Sequence, residues 1–194
     1  MAFGSSRRNN VEKPILIALC GWPGSGKTEV QKFLTKDFGV VPIDDGGPLR
    51  HIAMDHFGLS HDDCYTQEGK TRFTDINGAS WENRKILGEI GKALESKFGE
   101  FIMPWMATRA LAPGMAYSFG SCRRTNGFFY KGQGGIVLEV TGRGEDTGND
   151  FDRWAPEAVT HRIDNSGSLE ELRYRVHHLF GPLLHKFTER LDVV

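Results

Sequence analysis

The chain has 194 residues, of which 39% are hydrophobic and 25% are charged. This balance is enough for a buried core in one domain and excludes a largely disordered protein. The formal net charge of −1 excludes a strong overall attraction to nucleic acid, although a local basic surface could still bind it.

Residues 1–13 are polar and show no apolar period, so we expect a flexible tail before a single domain over residues 14–194. The first long apolar run begins at Ile15 and is too short for a signal peptide or a membrane span, which favours a soluble intracellular protein. The three cysteines are widely spaced and odd in number, which predicts reduced thiols rather than disulfides or a zinc site.

A glycine-rich octapeptide separates the first predicted strand, Ile15 to Cys20, from a predicted helix over Glu29 to Phe38. It reads Gly21-Trp22-Pro23-Gly24-Ser25-Gly26-Lys27-Thr28 and fits the pattern G-x-x-x-x-G-K-[ST]. In this pattern the glycines let successive N–H groups surround phosphate, the lysine adds positive charge and the hydroxyl binds Mg²⁺. The octapeptide and the adjoining Glu29 are therefore predicted to bind a nucleoside triphosphate, with Thr28 as the metal ligand.

The remaining elements follow from apolar periodicity and from turn signals. Further strands are predicted over residues 40–43, 115–119, 135–141 and 158–163. Further helices are predicted over residues 49–57, 81–98 and 101–111, with a last helix that starts at a capping box of Ser168 and Glu171. Residues 61–79 are polar and irregular, which predicts a long loop or a mobile subdomain, and residues 120–134 are predicted to connect two strands.

Two of these helices show a clear apolar face. In residues 81–98 the predicted buried side chains are Leu87, Ile90, Leu94 and Phe98. In the last helix they are Leu169, Leu172, Val176 and Leu179.

Strands that alternate with helices predict an α/β protein of three layers, in which a central and mostly parallel sheet carries helices on both faces, as in P-loop NTPases. In such a sheet the ligands lie at the carboxyl ends of the strands. We therefore expect one rim to hold the phosphate loop, Asp44, Asp45, Ser121 to Arg124 and Thr141 to Arg143.

Five stretches of the chain stand in an order that characterises one family. They are Leu19 to Lys27; Asp45 to Arg50; Asn83 to Leu87 with Gly91; Cys122 to Asn126 before Gly134-Gly135; and Asp164 to Leu172. Through them most of residues 15–181 resembles the phage deoxynucleoside monophosphate kinases, a branch of the P-loop nucleoside monophosphate kinases. Only the phosphate loop is specific by itself.

The resemblance implies ATP as phosphate donor, Mg²⁺ as cofactor, a deoxynucleotide as acceptor, and a phage protein that acts in the bacterial cytoplasm. It also implies that Arg84 holds the phosphate of the acceptor, that Arg123 lies near the transferred group and that the turn at Asn165 borders the adenine. Arg143 is a candidate lid arginine, and Arg153 is the alternative.

Two departures from the family pattern concern substrate and metal. The family usually has Gln and then Gly-Thr in the helix that reads the acceptor base, where this chain has Gly88 and Gly91-Lys92. It also usually has an Asp before the arginine region and a Glu shortly after, where this chain has Ser121 and Gly127.

Phosphoryl transfer needs positive charge around the oxygens of the moving group. Arginine suits this role because its planar fork grips phosphate bidentately. The candidates, besides Lys27 and Mg²⁺ on Thr28, are Arg84, Arg123, Arg124 and Arg143.

Asp44 and Asp45 bear on the kind of acceptor. A phosphate acceptor needs no general base, and a carboxylate would then act on metal-bound water or on a sugar hydroxyl. A hydroxyl acceptor could lose its proton to a carboxylate at this rim. A simple turn formed by Asp-Gly-Gly is the third interpretation.

A second hypothesis is therefore open, since the chain is also similar to phage P-loop kinases that phosphorylate 5-hydroxymethyluracil within DNA. The missing glutamine, the adjacent aspartates and a basic and aromatic strip at residues 123–131 favour it. The net charge, and burial of the aromatic side chains in the core, would oppose it. A nucleotide-binding module without transfer activity is a third hypothesis, and none of the three involves a membrane.

Overall fold

Five parallel strands form the central sheet of this protein, which a computed structural model describes over residues 13–146, 148 and 152–188. The strands are β1 (Ile15–Cys20), β2 (Val41–Ile43), β5 (Ala116–Phe119), β6 (Ile136–Thr141) and β7 (His161–Asp164). They lie in the order β2-β5-β1-β6-β7, and every neighbouring pair is parallel. The predicted three-layer α/β fold is therefore confirmed. The predicted N-terminal tail falls, except for Lys13, outside the described residues.

Helices connect the strands and cover both faces of the sheet. They are α1 (Lys27–Phe38), α2 (Gly47–Phe57), α3 (His61–Tyr65), α4 (Gln67–Thr71), α5 (Asn83–Phe98), α6 (Ile102–Thr108), α7 (Asn126–Gly132) and α8 (Leu169–Thr188). A short antiparallel hairpin of β3 (Phe73–Ile76) and β4 (Ala79–Glu82) lies between α4 and α5.

Alternate residues of β1 belong to two different cores. Ile17 and Leu19 pack in a cluster with the buried faces of α1 and α8. Leu16 and Ala18 pack in a second cluster with Tyr130 of α7, and Ala107 of α6 packs against it. This is the period of two that a strand buried on both faces requires.

A third, smaller core holds together a helical module, defined as residues 47–98. Its buried members are Ala53, Leu59, Cys64 and Ile86. The module lies between β2 and β5 in the chain, and its helix α2 begins directly after the carboxyl end of β2. This connection brings the module next to the rim.

The prediction of an irregular loop over residues 61–79 is wrong, because this segment forms α3, α4 and most of the hairpin. Ser60 caps α3 in a capping box with Asp63, and the Thr66 side chain accepts a hydrogen bond from the Gly69 N–H at the start of α4. The buried Asn83 amide donates to the Gly69 carbonyl at 2.9 Å. The sequence was misread because caps and long-range hydrogen bonds, rather than an apolar period, form these short elements.

The connection over residues 120–134 joins β5 to β6 as predicted, and it contains α7. Two side chains that were predicted to be buried are exposed. Phe98 is 69% exposed because α5 extends beyond the small core, and its most buried apolar side chain is Ile86. Leu169 is 56% exposed at the first turn of α8, whereas Leu172 and Val176 are buried as predicted.

The predicted capping box at the start of the last helix is confirmed. At the start of α8, Ser168 N–H donates to Glu171 Oε2 at 2.7 Å and Glu171 N–H donates to Ser168 Oγ at 3.2 Å. All three cysteines are buried free thiols. Across the part of the chain that the structure describes, no helix is both long and apolar enough to span a membrane.

Candidate active site

The carboxyl ends of the parallel strands meet at one rim, as predicted. The phosphate loop follows β1, Asp44 and Asp45 follow β2, and Ser121 follows β5 closely. Residues 142–146 follow β6, and the turn at Asn165 follows β7. All predicted site stretches except the one at Arg84 are therefore brought to this rim by the sheet topology alone.

The phosphate loop has a backbone that only glycine accepts at two positions. Gly21 has φ +135°, and a Cβ there would lie 2.5 Å from the Val140 carbonyl oxygen. Gly26 has φ +102°, and a Cβ there would lie 2.3 Å from the Asn165 Nδ2 atom. A side chain at either position would require the loop to move away from its neighbours. The loop then passes into α1, which begins at Lys27.

The Lys27 side chain donates hydrogen bonds to backbone carbonyls of the phosphate loop. Its Nζ donates to the Gly21 carbonyl at 2.7 Å and to the Trp22 carbonyl at 2.8 Å. Burial lowers the pKa of Lys27, and the positive charge of Arg123 lowers it further. The positive charges of Lys27 and Arg123 therefore influence each other.

The residues of the loop fit a polyphosphate with a metal ion. The side chain of Ser25 is fully buried, and its Oγ has no hydrogen-bond partner among the described residues. Thr28 is exposed in the first turn of α1, and Glu29 beside it pairs with Lys32 at 2.7 Å. Pro23 and Gly24 are exposed at the tip. The start of a helix, a glycine turn and a hydroxyl at this place are what Mg²⁺ with phosphate requires.

Trp22 packs against a residue of the segment after β6. Its ring lies edge-to-face on the ring of Trp154, with 4.9 Å between the centroids. Trp154 also forms a parallel β-bridge with Arg124. The phosphate loop and the arginine region are thus linked through this tryptophan.

Asp45 points toward β5. Its Oδ2 accepts a hydrogen bond from the Ser121 N–H at 3.1 Å. Burial of the carboxyl group, and then the negative charge of Asp44, raise the pKa of Asp45 to about 6. Arg123 and Arg50 act in the opposite direction. A carboxyl group with this pKa changes its protonation state close to neutral pH.

Asp44 is held in place by the helical module. It forms an ion pair with Arg50 of α2 and accepts a hydrogen bond from the Tyr65 hydroxyl at 2.9 Å. The Arg50 guanidinium also lies over the Tyr65 ring, 4.7 Å from its centroid. The Asp44 carboxylate is therefore bound by two side chains, whereas the Asp45 carboxylate accepts one hydrogen bond from a backbone N–H among the described residues.

Lys70 of α4 lies in a group of cations. Burial is the first cause that lowers its pKa, and the next causes are three arginines: Arg50, Arg84 and Arg123. Arg123 lowers the pKa of Lys27 as well as that of Lys70, so its positive charge influences both the phosphate loop and the helical module. Such a group of like charges is stable next to an anion.

The four predicted arginines have different surroundings. Arg84, at the start of α5, donates to Gln67 Oε1 at 3.0 Å. Arg123 lies 3.6 Å from Asp152 Oδ1. Arg124, with φ +48°, forms an ion pair of 2.5 Å with Glu95 of α5. The charges of Arg84 and Arg123 both lower the pKa of Lys70, whereas Arg124 pairs with α5.

The two candidate lid arginines lie in the segment after β6. Arg143 donates to the Gly167 carbonyl at 2.6 Å, next to the turn predicted to border the adenine. Arg153 contacts Asp146 at 3.2 Å. Arg143 is therefore the one that touches the β7–α8 turn.

The strip of residues 123–131 does not form one basic and aromatic surface. Tyr130 is 1% exposed in the second core, and Phe129 packs against the same cluster. Lys131 donates to the Glu157 carbonyl at 2.8 Å. Phe129 and Tyr130 are therefore core residues of α7, whereas Phe128 is 40% exposed.

Sequence reasoning did not assign Arg50, Tyr65 or Lys70 to the site. Arg50 ends one of the five stretches of the family resemblance and could have been included on that ground. Lys70 and Tyr65 lie in the segment that was predicted to be irregular, and nothing in their local sequence indicates a site.

Comparisons with known proteins give a fold likeness only. No family model and no curated protein matches the chain. Similar solved structures include TT1252 from Thermus thermophilus, with 20% identity, a TM-score of 0.46 and coverage of 89% of this chain and 99% of that one. A shikimate kinase from Aquifex aeolicus has 14% identity, a TM-score of 0.43 and coverage of 87% and 97%. The APS kinase CysC of Mycobacterium tuberculosis has 14% identity, a TM-score of 0.42 and coverage of 88% and 99%. These values are too low to carry an argument about activity, and the fold assignment rests on the sheet order and the phosphate loop.

Proposed function

We propose that this protein is a P-loop kinase that transfers the γ-phosphate of ATP to a second substrate at the rim. The observation that carries the proposal is the geometry of the rim, where a glycine turn with Lys27 inside it leads into α1 and the Asp45 carboxyl group lies at the end of β2. The positive charge of Arg123, which lowers the pKa of both Lys27 and Lys70, adds to this support. A site that only holds a nucleotide needs charge at the phosphate loop. A site that transfers phosphate also needs charge where donor and acceptor meet.

The donor side would use the phosphate loop. The N–H groups of residues 21–28 and the Lys27 amine would hold the phosphates, and the Thr28 hydroxyl would be a metal ligand. Mg²⁺, when bound, supplies a Lewis acid that neutralises charge on the phosphate oxygens. Arg123 would act on the transferred group, because its charge reaches both Lys27 and Lys70.

For the acceptor, the first candidate is a deoxynucleoside monophosphate. The cations of the helical module support it, because Lys70, Arg84 and Arg50 suit a dianionic phosphate. In this reading Asp45 is not a general base. Asp44 orders Arg50 through their ion pair.

The second candidate is a hydroxyl acceptor, such as 5-hydroxymethyluracil in DNA. Asp45 supports it, because a carboxylate with a pKa of about 6 could take the proton that the attacking hydroxyl loses. The proton would pass from the hydroxyl oxygen to Asp45 while that oxygen bonds to the γ-phosphorus and ADP leaves. The burial of Tyr130 removes one of the features that favoured DNA.

The test is transfer of labelled γ-phosphate from ATP with Mg²⁺ to two acceptor sets: deoxynucleoside monophosphates, and DNA with or without hydroxymethyluracil. Label in a diphosphate supports the first candidate, and label in modified DNA alone supports the second.

Lys27→Ala should lower transfer by ~10²-fold or more, since it removes the charge at the phosphates. Lys36→Ala, an exposed lysine in the last turn of the same helix, is the matched control. Full transfer by the Lys27→Ala protein would overturn the proposal.

A further inference from the structure

The turn between β7 and α8 is fixed by several contacts that do not involve the phosphate loop. Ser166 donates to Asp164 through its Oγ, at 2.6 Å, and through its N–H, at 3.2 Å. Arg175 of α8 bonds the Asp164 carbonyl and its carboxylate. Arg143 donates to the Gly167 carbonyl. The backbone around Asn165 is therefore held by its own surroundings.

Asn165 extends from this fixed turn to the phosphate loop. It is 6% exposed, and its backbone N–H donates to the Thr141 carbonyl at 2.8 Å. Its side-chain amide donates to the Ser25 carbonyl at 2.8 Å, between residues that are 140 positions apart. The direction of this bond is certain, because a carbonyl oxygen can only accept.

The sequence of the loop leaves room for this contact. A Cβ at residue 26 would lie 2.3 Å from the Asn165 Nδ2 atom and 3.3 Å from its Cγ. Two constraints therefore favour glycine at residue 26: the positive φ, and the close approach of the Asn165 amide. Any larger residue at this position would push the amide away from the loop.

The contact has a direct effect on a phosphate-binding group. In a trans peptide the C=O and the following N–H lie in one plane and point in opposite directions. Holding the Ser25 carbonyl toward Asn165 therefore directs the Gly26 N–H away from Asn165. The Gly26 N–H is one of the backbone donors that this loop type offers to phosphate.

We propose that Asn165 is a positioning residue that sets the Ser25–Gly26 peptide for phosphate binding, and that it does not read the adenine. The inference rests on the proposed function, in which the loop binds the phosphates of ATP. Asn165 joins the phosphate loop to the β7–α8 turn. The Ser25–Gly26 peptide is therefore already ordered before the nucleotide binds.

The experiment measures binding of two probes by calorimetry in the presence of Mg²⁺: ATP, and inorganic tripolyphosphate, which has no base. The variant is Asn165→Leu, which has similar volume and no charge but cannot donate. Loss of one buried hydrogen bond and the unpaired Ser25 carbonyl should weaken both probes by a similar factor of ~10 or more. The ratio of ATP to GTP affinity should stay unchanged.

Two further variants keep the test decisive. Ser168→Ala removes the cap of α8 without touching the loop, so it should lower thermal stability and leave tripolyphosphate affinity unchanged. Asn165→Ser, which is smaller and polar, replaces the leucine variant if that protein does not fold, and the same loss is expected.

Two outcomes would overturn the inference and leave the proposed function intact. One is a variant that binds tripolyphosphate as tightly as the wild type, while ATP binding or the ATP to GTP ratio changes, because Asn165 would then read the base. The other is unchanged binding of both probes. Wild-type protein that binds neither probe would overturn the proposed function itself, and this inference with it.

Discussion

At the scale of single residues, the buried carboxyl group of Asp45 carries an energetic cost. Its carboxyl group is buried beside Asp44 at the end of β2, and its pKa is raised to about 6. The ordinary pKa of an aspartate in an unfolded chain is about 3.9. The folded protein therefore holds a proton on Asp45 in a range of pH where the unfolded chain has lost it.

This difference predicts how stability depends on pH. Below pH 4 both states are protonated, and between about pH 4 and pH 6 the folded state binds more protons, so the contribution of Asp45 to the free energy of unfolding falls as pH rises. Asp45→Asn should remove this fall and be more stable than the wild type at pH 7.5, by on the order of 1–3 kcal/mol. Urea unfolding of both proteins at pH 4.5 and 7.5 measures how the free energy of unfolding changes with pH. An equal change with pH in both proteins would contradict the raised pKa.

The same substitution separates the two acceptors. Asparagine can still accept the Ser121 N–H but cannot take a proton. Asp45→Asn should therefore retain most transfer to a deoxynucleoside monophosphate and lose ~10²-fold or more of transfer to a hydroxyl. The assay is labelled phosphate transfer with each acceptor, and Asp55→Asn on the exposed side of α2 is the control. Equal losses with a hydroxyl acceptor in both variants would exclude Asp45 as a general base.

Lys70 gives a second test at this scale. Lys70→Ala should raise the KM of an anionic acceptor by ~10-fold or more and leave the KM of ATP within about 2-fold, because hydrogen bonds to charged groups contribute roughly 1.5–3 kcal/mol. Lys92→Ala removes an exposed lysine of α5 that pairs with Glu89 at the surface. An equal rise in both variants would mean that Lys70 has no specific contact with the acceptor.

At the scale of elements, the helical module depends on close contacts between short helices. Gly69 in α4 lies directly against α3, and a Cβ there would be 2.0 Å from the Asp62 carbonyl oxygen and 2.7 Å from the Asp63 Cα. These are backbone atoms, so the clash cannot be relieved by a side-chain rotation. The two helices would have to separate.

The prediction compares two glycines of the same module. Gly69→Ala should destabilise the protein by about 1–3 kcal/mol, as overpacking does. Gly88→Ala in α5, where a Cβ meets nothing within 4 Å, should be neutral or stabilise by up to about 1 kcal/mol. Urea unfolding measures the free energy of unfolding of both variants. A Gly69→Ala protein as stable as the Gly88→Ala protein would show that α3 and α4 can move apart without cost.

At the scale of the whole molecule, the two large cores and the small one differ in extent. The cores on the faces of the sheet include β1, β6 and four helices, whereas the core of the module has four buried apolar side chains. Regions with few buried contacts open at lower free energy than the core strands. The phosphate loop lies on the well-packed part, and Lys70 and Arg84 lie on the module.

This division predicts that the two substrates protect the module. In hydrogen exchange, the amides of residues 61–82 should exchange faster than those of β1, and should slow by ~10-fold or more when a non-hydrolysable ATP analogue and the acceptor are both bound. Exchange with the analogue alone is the control. No slowing with both substrates together would contradict closure of this segment over the site.

The sequence by itself determined the strand, glycine loop and helix at the start of the domain, and most of the other strands and long helices. These features depend on local rules: glycines at positive φ, an apolar period of two or about 3.6, and a capping box. The sequence also located the rim, since parallel strands bring their carboxyl ends together.

Only the tertiary structure decided which side chains meet there. It paired Arg50 with Asp44 and Arg124 with Glu95, and it showed that the Asn165 amide donates to the Ser25 carbonyl. The last two of these pairs are separated by tens of residues or more along the chain, so no local periodicity records them. The short helices of residues 61–71 escaped prediction because caps at Ser60 and Thr66 and a hydrogen bond from Asn83 hold them, without an apolar period.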